Sequence, residues 1–145
     1  MAKVAFSKLD AKICDTITTL CYHNAKGEEI FYEVKNYLPI EEKMEMISKI
    51  INQSVDDNGF YNPIRLHIYT VLEMTYAYTN LNFTSKQKDN PFKLYDLLVS
   101  TKIFDNIKNC LEKEEWNEIE QAIVNIIDNI YKYRNSIMGI LDAVS

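Results

Sequence analysis

At 145 residues, 47% hydrophobic and 26% charged, the chain has the length and make-up of one compact domain with a real core, and a second full domain would not fit. The 21 Asp+Glu outweigh the 16 Lys+Arg and no basic run or face stands out, which argues against a phosphate-binding footprint and predicts no nucleic-acid partner. No stretch approaches the roughly 18 to 20 apolar residues of a membrane span, and the opening MAKVAFSKLDAKICD lacks the apolar run of a secretory signal, so no membrane partner is expected.

The first element is a β-hairpin over residues 12–37. Ile13, Ile17, Thr18 and Thr19 through Tyr22, then Ile30, Phe31, Tyr32, Val34 and Tyr37, are rich in β-branched and aromatic types. His23-Asn24-Ala25-Lys26-Gly27 supplies the turn. Two strands alone are marginal in water, so the hairpin must lie on the helices or borrow an edge from another chain.

Pro39 opens a first helix of about 15 residues, whose face is traced by Ile40, Met44, Ile47 and Ile51 before Asp56-Asp57-Asn58-Gly59 ends it. Asn62-Pro63 repeats the capping signal. The segment it opens, from Ile64 to Tyr78, is apolar nearly all round and belongs at the centre of the fold. Thr84-Ser85-Lys86-Gln87 fits a capping box. Asn90-Pro91 starts a further helix, or two short ones, with a break near Ser100-Thr101.

The last third carries apolar residues at Trp116, Ile119, Ile123, Ile126, Ile130, Tyr133, Ile137 and Ile140, in alternating steps of three and four. This is a long amphipathic helix on the order of 40 Å, to be pinned along one narrow seam by a neighbouring helix or another subunit. Its apolar end is expected to be docked rather than frayed. Glu112, Glu114 and Glu115 at its start favour the positive end of the helix dipole.

Chemistry-bearing patterns are few. Cys14, Cys21 and Cys110 show no metal or disulfide spacing, so reduced thiols in a cytosolic setting are the simplest reading. Cys21-x-His23 places two potential ligands on one face of a strand, but two ligands do not make a site and no second pair follows. No metal or cofactor is therefore expected, and a buried thiol beside a turn histidine is the reading preferred. Cys110 with His67 is the one long-range nucleophile–base pairing available, and nothing local supports it. Three glycines cannot build the usual phosphate cradles. No catalytic residue is assigned, and the chain is read as a non-enzyme.

Tyrosines are typical interface anchors. Tyr61, Tyr131 and Tyr133, with Ile137 on the seam, are the apolar candidates for contact with a partner. Glu114, Glu115 and Glu118, in the acidic run from Glu112 to Glu120, are the charged candidates, against the plainer reading of a solvated helix start.

Three stretches carry a resemblance: Tyr37-Leu38-Pro39-Ile40-Glu41-Glu42-Lys43, then Phe83-Thr84-Ser85-Lys86-Gln87 with Lys93-Leu94-Tyr95-Asp96-Leu97-Leu98, and Tyr133-Arg134-Asn135-Ser136-Ile137-Met138-Gly139-Ile140. Together they resemble small helical proteins encoded by tailed phages and prophages of AT-rich Gram-positive bacteria. The resemblance implies a genomic setting and transfers no functional residue.

The expected fold is α+β, mostly α, in a single domain 1–145. An N-terminal β-hairpin (12–37) precedes a bundle of four or five helices (38–145) with a long C-terminal amphipathic helix. The expected function is that of a noncatalytic phage protein, a virion structural or assembly component. Its partners would be other phage proteins or itself, in the cytoplasm of an infected host or in the virion. Two alternatives are a small acidic inhibitor of a host defence nuclease and a small enzyme of unknown type.

Overall fold

The computed structural model describes residues 1–144, with side chains to Ala143. After an exposed N-terminal arm with a 3-10 turn at Phe6–Leu9, strands β1 (Ile17–His23) and β2 (Glu29–Lys35) pair antiparallel, with Leu20 opposite Tyr32 and His23 opposite Glu29. The hairpin turn is fixed by Asn24, whose Oδ1 accepts from the backbone N–H groups of Lys26 and Glu28, both at 3.0 Å. Gly27 closes it at φ +78°, a conformation that suits a residue without Cβ.

Helices α1 (Ile40–Gln53), α2 (Pro63–Tyr78), α3 (Ser85–Lys88), α4 (Pro91–Ser100), α5 (Ile103–Asn109) and α6 (Lys113–Val144) follow. An α+β fold dominated by helices, with an N-terminal hairpin and a long terminal helix, is what the residue patterns predict. Its starts are local chemistry. Asn62 Oδ1 accepts from the N–H groups of Ile64 and Arg65, and Thr84 and Gln87 form the reciprocal capping box. The break between α4 and α5 falls at Thr101 and Lys102, where Lys102 takes a left-handed φ of 65°.

Helix α2 lies against α1, α4 and α5, and Ile68, Val71, Leu72, Met74 and Tyr78 form the middle of the core. The hairpin contributes Tyr32 and Val34 to that core, with Leu20 and Tyr22 packed against it. It is tied to the end of α2: Asn80 donates its backbone N–H to the Glu33 carbonyl at 3.2 Å, and Glu33 returns its own to Asn80 Oδ1 at 2.8 Å.

Two expectations change. Helix α1 buries Lys43, Met46, Ile47, Ile50 and Ile51 and leaves Ile40 and Met44 exposed, so its inward face is turned from the one traced by Ile40 and Met44. Met46 and Ile50 fill the inward side beside Ile47 and Ile51, and Lys43 joins them by pairing with the buried Glu115 carboxylate. Cys21 and His23 are not buried either: both lie on the outer face of β1, because the inner face is taken by Leu20 and Tyr22.

Candidate interaction surface

Helix α6 has 32 residues and spans about 48 Å. Along it, Ile119, Ala122, Ile123, Ile126, Ile130, Tyr133, Ile137, Ile140 and Leu141 fall on one stripe, roughly 100° wide at 3.6 residues per turn. The first half of the stripe is core: Ile119 and Ile123 are buried, with Trp116, Ala122 and Ile127 packed beside them. Past the end of the body the same stripe meets no cover. Every side chain from Lys132 to Ala143 is exposed, with Tyr133 at 69% and Ile140 at 64%. The expectation of a docked end therefore fails within the single chain, because α1 and α2 stop short of it.

Glu115 anchors the packed half. It is 6% exposed, and each of its oxygens is held: Oε1 accepts from the Tyr78 hydroxyl at 2.7 Å and the Leu38 backbone N–H at 3.1 Å, and Oε2 from Lys43 Nζ at 2.9 Å. Lys43, 1% exposed, also reaches Glu118 Oε2 at 3.4 Å and sits 4.3 Å from the centre of the Tyr37 ring. Burial pulls the Lys43 pKa down, but the hydrogen bonds and charges of Glu115 and Glu118 together outweigh it, and the value ends above the ordinary one. Burial, reinforced by the hydrogen bond to Glu115, pushes the Tyr78 phenol far up.

Midway, one side of α6 is clamped by the α1–α2 loop. Arg134 Nη1 donates to the Gly59 carbonyl at 2.7 Å, and its guanidinium lies 5.9 Å from the Phe60 ring centre. Tyr61 and Tyr131 meet edge-to-face with centroids 5.9 Å apart. Burial raises the Tyr61 pKa, with Arg134 opposing and Tyr131 adding to the shift.

The structure thus separates the predicted contact residues. Tyr61 and Tyr131 are used on each other, whereas Tyr133 and Ile137 stand on the open stripe. Glu114 and Glu118 are exposed, but Glu115 is withdrawn into the core by Lys43, Tyr78 and Leu38, so it is not a surface contact. An inhibitor face built on the acidic run would lack its central carboxylate.

The long-range pairing of Cys110 with His67 finds no geometry among the described contacts. Cys110 donates its thiol to the Asn106 carbonyl at 3.2 Å, and His67 meets the Tyr95 ring with centroids 5.7 Å apart. Burial raises the Cys110 pKa, the opposite of an activated thiolate. Among the described residues no helix is long and apolar enough to cross a membrane.

Sequence reasoning placed Tyr78 in the central helix but missed the burial of Lys43 and the pairing of both with Glu115. The signal was present: Lys43 stands four residues before Ile47, and Glu115 four before Ile119, so each continues an apolar stripe with a charge of opposite sign. The chain matches no protein-family model, no curated protein and no solved structure.

Proposed function

We propose that this chain is a noncatalytic protein that works by protein–protein contact, through the open half of the α6 stripe. The observation that carries this reading is the continuity of the stripe: one apolar line is core as far as Ile123 and bare from Tyr133 onward. Apolar residues at Ile126, Ile130, Tyr133, Ile137 and Ile140 alternate steps of four and three, the spacing of a coiled-coil seam. A line of this kind is self-complementary, so the partner we assign is the same helix of a second copy, related by a two-fold axis. The resemblance to phage-encoded proteins makes a virion structural or assembly component the setting proposed, in an infected cell or its particles.

The test has two parts. Sedimentation velocity of the purified chain should give an associated species that Ile137→Asp converts to a monomer with unchanged helicity. Mass spectrometry of purified particles should find the chain at stoichiometric amounts. A wild-type monomer at high micromolar concentration would remove the seam as a self-contact, and absence from particles would remove the virion role.

A further inference from the structure

The outer face of the hairpin brings together three donors that lie apart in the sequence. Cys21 and His23 are two residues apart on β1, so both project to the same face, and the β1–β2 register sets Glu29 directly opposite His23. The Cys21 sulfur, a His23 imidazole nitrogen and a Glu29 carboxylate oxygen all lie within 4.8 Å of one another. His23 Nε2 and Glu29 Oε1 are already 3.3 Å apart. Tetrahedral zinc with bonds of roughly 2.0 to 2.3 Å sets its ligand atoms about 3.5 Å apart, a side-chain rotation away from this arrangement. The support beneath the donors is fixed, since Asn24 and Gly27 lock the turn that defines the register.

We infer that Cys21, His23 and Glu29 form a transition-metal site, a three-ligand zinc centre whose fourth position is left to water. The donor set selects the metal class: thiolate and imidazole suit zinc and its neighbours, whereas calcium and magnesium take oxygen ligands. Metal capture displaces the thiol proton and exchanges the His23–Glu29 hydrogen bond for two metal bonds. Sequence spacing alone shows only Cys21-x-His23; the third ligand comes from the opposing strand, through the register.

The test is titration of the full-length chain with Co²⁺ in a phosphine reductant. One cobalt per chain should give a near-ultraviolet thiolate-to-cobalt band with visible ligand-field bands, and Zn²⁺ should bleach both. Cys21→Ser should abolish the near-ultraviolet band. His23→Ala and Glu29→Gln should each weaken cobalt binding by about tenfold or more, since even groups that merely support metal ligands carry that much. Cys14→Ser and Cys110→Ser should leave the spectrum intact. The proposal is overturned if the wild-type chain gives no thiolate band, if the band survives Cys21→Ser, or if neither His23→Ala nor Glu29→Gln alters affinity. All three residues are exposed, so the variants keep the fold, and far-ultraviolet circular dichroism checks this.

Discussion

The two halves of α6 carry the same pattern and meet opposite surroundings. Between Glu115 and Ile123 the stripe is sealed by the rest of the chain and fixed by a buried ion pair; between Lys132 and Ala143 the same spacing faces solvent. Hydrophobic periodicity states that a helix has a face to bury, and tertiary packing decides whether its own chain buries it. The residues of the two halves should therefore respond differently to equivalent changes.

The largest effect is expected in the sealed half. Lys43→Met leaves the buried Glu115 carboxylate without its cation and should lower unfolding stability by about 3 to 5 kcal/mol in denaturant titration, and Glu115→Gln, which leaves Lys43 with Glu118 alone, should cost less. Replacing both, with Lys43→Met and Glu115→Leu, should restore much of that loss, because neither charge is then stranded. A double variant as unstable as the sum of the singles would show that the pair is not the source of the effect.

Next in size is a matched pair of truncations. Ile123→Ala removes core volume and should cost about 2 to 5 kcal/mol. Ile137→Ala, on the open continuation, should stay within about 0.5 kcal/mol in dilute monomer and weaken association instead. Equal losses at low concentration would mean that the end of α6 is packed in the monomer.

Alkaline titration sharpens the comparison further. Lys43 and Tyr78 both have folded pKa values raised above their ordinary 10.5 and 10.0. Each raised group favours the protonated form in the folded state, so its contribution is complete below the unfolded pKa and fades as pH rises through the folded one. Thermal midpoints should accordingly fall above about pH 10, and Tyr78→Phe should flatten part of that fall. A midpoint unchanged from neutral pH to pH 11 would contradict the assignment.

The smallest effect belongs to the clamp between the halves. Arg134→Ala removes one exposed hydrogen bond to the Gly59 carbonyl, and a loss of about 0.5 to 1.5 kcal/mol is expected at most. Its signature is local: amide exchange should quicken from Tyr131 onward while the core stays protected.

What the sequence disclosed follows the range of the physics involved. Caps and turns are written within four residues, which is why Asn62-Pro63, Thr84 to Gln87 and the hairpin turn could be read directly. Lys43 and Glu115 are 72 residues apart, and only the packing of α1 on α6 makes a charge at either position an inward one. Glu29 lies six residues from His23, and it was hidden by register rather than by distance, since strand register is set by the turn and the buried face together. At α6 the period was legible, but where the cover ends depends on how far α1 and α2 extend beside it.

The hairpin has a further property. The outer side of β2 is taken by the end of α2, through the Val34 to Thr79 bridge and the Asn80 hydrogen bonds. On its other side β1 has no strand neighbour among the described residues. With β2 occupied at Glu33 and Val34, the β1 margin is the more open one for strand addition, and joining two molecules there would give a four-stranded ribbon. The strap from the end of α2 thus makes the two margins of the sheet unequal, and strand-to-strand addition at β1 meets less obstruction than at the Lys35 end of β2.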